Sequence, residues 1–216
     1  MISLNNGFKP RRLLAIGAHS DDIEIGCGGT LLDLVGRFPS VSVTWVVLAA
    51  FGERRKEATE SAIRFLGALT DPVVVVESFR ERYFPYLVEL KEFFDELGKT
   101  TDPDVIFCPW SNDAHQDHRT AAELTHNTFR SHLILEYEIP KIDGDLGQPT
   151  IYAELSTDLV QQKLDLLREG FPSQAHRNWF DPEVFQGLMR LRGMEVLSPS
   201  GFAEAFHCRR LKITGR

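Results

Sequence analysis

Apolar positions in the first 130 residues fall into short continuous runs, separated by stretches whose apolar residues recur at helical spacing. Arg12 to Ala18 (RLLAIGA) is one such run, the pattern of a strand buried on both faces. Gly26, Gly28 and Gly29 predict a turn, after which Thr30 caps a helix over Leu31 to Gly36. Val41 to Ala50 is β-branched and apolar, a second strand. Glu53 to Leu66 places Ala58, Ala62, Ile63, Phe65 and Leu66 on one helical face, with Gly67 as terminator. A third strand, Val73 to Val76, precedes an amphipathic stretch from Tyr86 to Leu97. Asp104 to Cys108 predicts a fourth strand ending at Pro109, followed by a helix within His118 to Arg130. This alternation implies an α/β fold, a mostly parallel sheet with helices on both faces.

The later third is less regular. His132 to Ile139, Thr150 to Leu155 and Ala203 to Ile213 read as strands, and Leu159 to Arg168 and Pro182 to Arg192 as helices. With no repeat, low-complexity tract or Ser/Pro-rich linker, residues 1–216 read as a single domain.

Composition narrows the class of function. Hydrophobic residues make up 43% and charged residues 25%, an ordinary globular balance, and the net charge is −7. That charge argues against a general affinity for nucleic acid or an anionic membrane. The longest apolar run, Val43 to Phe51, is too short for membrane insertion, and the amino terminus lacks the pattern of a signal peptide. The three cysteines, Cys27, Cys108 and Cys208, form no C-x-x-C pair, so the expected location is a reducing cytoplasm. The irregular later segments are compatible with a homo-oligomer interface.

Two polar clusters carry the candidate chemistry. Ala18-His19-Ser20-Asp21-Asp22 stands where the first strand ends, and Asn112-Asp113-Ala114-His115-Gln116-Asp117-His118 lies just beyond the fourth. Sites of open parallel sheets form beyond the carboxyl ends of strands, where strand order reverses. If strands one and four are neighbours, the clusters meet. Two adjacent carboxylates repel, and burying either unpaired is costly; a divalent cation removes both problems. His19, Asp22 and His118 supply two imidazoles and a carboxylate, a common set for catalytic Zn2+. Asp21 is then free as a base toward water that the cation acidifies. His115 can face the same centre, with Asp117 hydrogen-bonded to it, orienting it and favouring its protonated form.

Other readings fit less well. Alone, H-x-D-D is more often a capped turn than a metal site, and H-x-x-H is a weak signal. The glycines do not follow G-x-G-x-x-G, and Asp21, Asp22 and Glu24 would repel a pyrophosphate. The same ligand set suits a non-haem iron oxygenase, but no cosubstrate site is evident. Ser20 lacks the G-x-S-x-G setting of a nucleophile.

At these residues the sequence resembles the PIG-L/LmbE-like family of zinc-dependent N-acetylglucosamine deacetylases. The family's H-P-D-D and G-x-G-G stand here as His19-Ser20-Asp21-Asp22 and Gly26-Cys27-Gly28-Gly29, and its H-x-D-H as His115-Gln116-Asp117-His118. Gly52-Glu53, Arg55-Lys56-Glu57 and Leu66-Gly67 resemble its G-E…R-x-x-E…L-G helix. Lys163, Ser173-Gln174 and Ala203-Glu204-Ala205-Phe206 resemble its K…S-Q…A-E-x-F. Ser20 departs from the family's usual proline and loses that residue's fixed φ.

The resemblance implies a Rossmann-like three-layer sandwich with zinc on His19, Asp22 and His118. It implies Asp21 as general base and His115 as the group that stabilises the oxyanion and protonates the departing amine. The expected substrate is a small N-acylated, sugar-like molecule, with a thiol-sugar conjugate or antibiotic intermediate as alternatives. A metal-containing scaffold without turnover is the reading of a different class. Substrate contacts are expected from Arg54, Arg55, Trp110, Ser173 and Gln174; Arg80 and Arg82 lie at the same end of the sheet, and Trp110 is either a sugar platform or a packing residue. His126, His132 and His207 are expected to be structural.

Overall fold

In a computed structural model of the chain, residues 7–67 and 70–212 are described. One seven-stranded sheet runs in the order β3-β2-β1-β4-β5-β7-β6. Its strands are β1 (Arg12–His19), β2 (Ser42–Ala49), β3 (Val73–Val76), β4 (Val105–Pro109), β5 (Leu133–Tyr137), β6 (Ile151–Glu154) and β7 (Ala203–His207). The first five are parallel; β7 runs antiparallel to both β5 and β6. The helices are α1 (Asp22–Arg37), α2 (Gly52–Leu66), α3 (Val88–Thr100), α4 (Gln116–Thr128), α5 (Thr157–Gly170) and α6 (Pro182–Val196).

The apolar run of β1 shows why the sheet is buried on both sides. Side chains alternate between faces along a strand. Leu13 and Ala15 join a core with Trp45, Phe65, Phe107, Tyr137 and Phe171, while Leu14 and Ile16 join another with Phe84, Phe94, Ile106 and Phe129. Both neighbours of β1 are parallel to it: Leu13 pairs with Val43 on one side and Val105 on the other. The chain therefore leaves β1 towards β2 and returns to the opposite edge of β1 as β4. That is the reversal point required for a site, with His19 and Pro109 closing the two strands at the same end of the sheet.

One expected element is wrong. The glycines do not form a turn before a helix starting at Leu31; α1 begins at Asp22 and contains all of them. Glycine weakens a helix by about 1 kcal/mol relative to alanine, so packing overrides propensity here. A Cβ on Gly26 would overlap the Tyr137 ring, one on Gly28 would stand 2.8 Å from Phe65, and one on Gly29 2.7 Å from Leu155. The helix therefore lies against its neighbours with bare backbone. Thr30 is not a cap either: its N–H and hydroxyl donate to the buried Glu204 carboxylate at 2.7 and 2.5 Å. Gly29 N–H and the Lys163 ammonium donate to the other oxygen of Glu204 at 2.9 and 2.6 Å, and Lys163 also donates to the Ile25 carbonyl. Lys163 and Glu204, carried by α5 and β7, thus hold α1 from within. Gly26→Ala is expected to cost about 1–3 kcal/mol by overpacking against Tyr137, read as a lower urea midpoint at unchanged slope.

Smaller differences follow from capping and pairing. The stretch from Tyr86 divides into a short 3-10 turn, Phe84–Tyr86, and α3 from Val88. Helix α4 starts two residues before His118 because His115 caps it, accepting Asp117 N–H on its ring. Strand β7 stops at His207, short of the expected Ile213, which lies outside the described residues.

Candidate metal centre and active site

The two polar clusters meet at the reversal point. His19 ends β1, Asp22 opens α1, and His118 sits in the first turn of α4. His19 Nδ1 is 3.2 Å from His118 Nε2, although 99 residues separate them. Asp22 Oδ2 lies 3.6 Å from that His19 nitrogen and 3.3 Å from that of His118. Donors bound tetrahedrally at about 2.0–2.1 Å stand roughly 3.3–3.4 Å apart, so this triangle has the size a zinc ion needs. Two imidazole lone pairs facing each other at such a distance repel unless a cation or proton lies between them.

The outer nitrogens fix the same orientation. His118 Nδ1 pairs with Asp113 Oδ2 at 2.9 Å, and His19 Nε2 with Asp117 Oδ2 at 3.4 Å. A carboxylate on the far nitrogen holds the tautomer that leaves the near one free for metal. Asp113 is itself braced by the Lys141 ammonium at 2.7 Å. Among the described residues, the rings of His19, His115 and His118 also have nitrogens within 4.8 Å of one another. The set with Asp22 fits a cation better, because His115 Nδ1 is occupied by Asp117 N–H at 3.2 Å.

Electrostatics agrees with a centre that wants positive charge. Burial works against a charged His19, yet hydrogen bonds to Asp117 and Asp22 raise its pKa to about 10. Burial likewise opposes charge on His118, but the Asp22 charge and the Asp113 hydrogen bond raise it to about 9. Without metal these rings hold protons; a divalent ion satisfies the same oxygens.

Asp21 is placed apart from the donors. Its Oδ1 lies 3.7 Å from an Arg54 nitrogen, and its Oδ2 is buried without a hydrogen-bond partner. Burial and the adjacent Asp22 charge raise its pKa to about 6, partly offset by Arg54 and His19. A carboxyl group poised near neutrality with one free oxygen is suited to moving a proton.

The expected pairing of the Asp117 carboxylate with the His115 ring is not formed; that ring is met by the Asp117 backbone N–H. The Asp117 carboxylate instead accepts Arg82 N–H at 2.5 Å and Phe84 N–H at 3.3 Å, besides its contact with His19. Nor is the His115 cation favoured: burial, and then the positive charge of His19 and His118, lowers its pKa. With Nδ1 accepting a backbone N–H, a neutral His115 carries its proton on Nε2.

The other expected contact residues divide sharply. Arg54 is at the site, whereas Arg55 is exposed on α2. Ser173 turns its N–H and hydroxyl onto the Glu57 carboxylate at 2.8 and 2.5 Å, and Gln174 donates to the Ser173 hydroxyl. Those two residues therefore fasten the loop after α5 to α2. Trp110 stacks on the His207 ring at 4.2 Å and 9°, with Gly147 against its edge, so the ring is used in packing. Arg80 lies over the Tyr83 ring, and Arg82 is exposed beside its backbone contact to Asp117. His126 pairs with Glu136, His132 with Asp102, and His207 with Glu138, as structural histidines do. The residues that sequence reasoning passed over are Asp113, Lys141 and Glu81. Asp113, five positions before His118 in an N-D pair, was the one with a visible signal.

Fold and site together define an α/β protein with a candidate metal centre at the reversal point of its mostly parallel sheet. The sequence matches the PIG-L family, described as GlcNAc-PI de-N-acetylase, over residues 14–129, and the chain belongs to that family. It is 25% identical over 187 residues to the uncharacterized deacetylase YaiS of Escherichia coli K12, covering 77% of this chain and 94% of that protein. The N,N'-diacetylchitobiose deacetylase of Pyrococcus horikoshii has a similar structure: TM-score 0.74, 21% identity, and coverage of 96% and 87% of the two chains. So does GalB, a 4-carboxy-2-hydroxymuconate hydratase from Pseudomonas putida, with TM-score 0.72, 15% identity, and coverage of 95% and 99%. A hydratase on this architecture means that the fold alone does not choose the bond attacked; the site must.

Proposed function

We propose that this protein is a zinc-dependent N-deacetylase that hydrolyses the acetamide of a small N-acetylated sugar or sugar conjugate. The observation that carries the reading is the free, buried Oδ2 of Asp21 beside the triangle of His19, Asp22 and His118. A scaffold that only held metal would gain nothing from a carboxylate oxygen kept buried without a hydrogen-bond partner at a cost. Family membership supports amide hydrolysis, and the deacetylase names of YaiS and the Pyrococcus enzyme support the acetyl group.

In this reading His19 Nδ1, Asp22 Oδ2 and His118 Nε2 hold the ion, while Asp113 and Asp117 orient the two rings. A divalent cation held there supplies a Lewis acid for the amide carbonyl and makes water more acidic. Asp21 takes the proton of the attacking water on Oδ2. His115 Nε2–H donates a hydrogen bond to the oxygen on which negative charge develops. The resemblance implies His115 as the acid for the departing amine; because burial, and then the positive charge of His19 and His118, lowers its pKa, we assign that proton to Asp21 instead. Asp21, protonated by the water, then passes that proton to the departing nitrogen. The products are acetate and a free amine.

The whole chain serves as one domain in this reading, since β1 to β5 and the later β6 and β7 share one sheet. The three free thiols suit a reducing cytoplasm, and no described helix is long and apolar enough to cross a membrane. The test is acetate release from N-acetylglucosamine and N,N'-diacetylchitobiose by the zinc-loaded protein. Turnover should vanish with chelator and return with zinc. Stoichiometric zinc with no release from a broad panel of N-acetylated sugars would sink the sugar reading.

A further inference from the structure

We infer that Ser20 is a positioning residue whose hydroxyl fixes the Arg54 guanidinium against Asp21. Ser20 is fully buried in the turn between His19 and Asp21, and its oxygen accepts Arg54 Nε–H at 3.0 Å. The guanidinium has three directions, and three different segments take them. Nε goes to Ser20, after β1; NH1 goes to Glu81 Oε1 at 3.1 Å, after β3; NH2 points at Asp21 Oδ1 from 3.7 Å.

These holds are unequal. The Glu81 side chain is 36% exposed, so water screens that pair and it contributes little. The Asp21 approach is an ion pair at 3.7 Å, too long for a hydrogen bond, so it draws Oδ1 towards the guanidinium without fixing the plane of the fork. The bond to Ser20 is the directional hold on the buried side of the guanidinium, and it decides how the planar fork is turned. Arginine has several rotatable bonds and gives up much rotamer freedom when fixed, so an unanchored Arg54 would sample other poses.

The consequence falls on Asp21. Arg54 engages Oδ1 and leaves Oδ2 as the oxygen without a partner. With the guanidinium turned away, the two oxygens become equivalent and the carboxylate loses its preferred orientation. Proline, the usual family residue at this place in the motif, has no hydroxyl and gives no such hold. The anchor therefore belongs to this chain rather than to the motif.

The effect on turnover rests on the deacetylase reading; the Ser20–Arg54 link does not. The test is a double-mutant cycle of Ser20→Ala and Arg54→Ala on zinc-loaded protein, with bound zinc quantified in each variant. The substrate is N,N'-diacetylchitobiose. Ser20→Ala should lower kcat on the order of tenfold, with KM within about twofold and zinc retained, as loss of orientation predicts. In the Arg54→Ala background the same change should cost less than about twofold, because its route of action is gone. Unchanged kcat in Ser20→Ala, or multiplicative losses in the double variant, would overturn the inference. If the wild-type protein releases no acetate, the deacetylase reading has failed for this substrate, and the cycle is read from urea unfolding instead. Non-additive unfolding free energies then uphold the Ser20–Arg54 link, and additive ones overturn it.

Discussion

Asp21→Asn is expected to lower turnover about a hundred- to ten-thousandfold, the range lost when a general base is removed, while leaving zinc bound. Asparagine has the shape of aspartate but cannot take a proton at neutral pH. The change should not touch the donor triangle, because neither Asp21 oxygen contacts His19 Nδ1, Asp22 Oδ2 or His118 Nε2 by hydrogen bond or ion pair. It also removes a buried charge held next to Asp22, a repulsion that raises the Asp21 pKa. The variant should therefore be no less stable than the parent, and its KM should stay close. Steady-state kinetics with elemental analysis of the same sample decides the matter. Wild-type kcat in a zinc-replete variant would remove Asp21 from the role of base.

Zinc affinity is expected to rise steeply with pH, about tenfold per pH unit for each proton the ion displaces. The sign follows from the metal-free rings. With pKa values raised to about 10 for His19 and about 9 for His118, both favour protonation at pH 7, and binding must expel one or both protons. Affinity thus weakens towards acid, climbs through neutrality, and levels only above those values. Between pH 6 and 8 the gain is about a hundredfold for one proton and ten-thousandfold for two. Competition titration with a chromophoric chelator at several pH values measures the slope. A flat profile across that range would mean that the rings are not the donors. Asp113→Asn should shift the curve to weaker binding by about ten- to a hundredfold, since it removes the carboxylate that orients His118.

Much of this molecule could be read from its sequence, and for a definite reason. Strands β1, β2 and β4 are buried on both faces for most of their length, so each appears as an apolar run about as long as the strand. Val73 to Val76 is read to the residue. The alternation left the neighbouring of β1 and β4 as a condition; the sheet meets it, and with it His19 and His118 come together. What failed was local reasoning about residues with distant partners. The glycines of α1 look like a turn because nothing nearby shows that Tyr137, Phe65 and Leu155 will press against them. Thr30 looks like a cap because Glu204 is 174 residues away. Asp117 was assigned to His115 by proximity in sequence, whereas α4 turns its carboxylate towards the end of β1 and the segment before α3. Trp110, an aromatic beside a polar cluster, gave no sign that His207 would cover its face.

The Glu204 carboxylate has a consequence for biosynthesis. Every residue proposed to bind metal or move a proton lies between positions 19 and 118, in the first part of the chain to leave the ribosome. The group that locks the backbone of α1 through Gly29, Thr30 and Lys163 arrives only with β7. A nascent chain of 200 residues therefore owns all of its donors and still lacks the clasp on the helix that presents Asp22. Zinc capture should follow the emergence of β7, and chains stalled before residue 204 should bind the ion poorly.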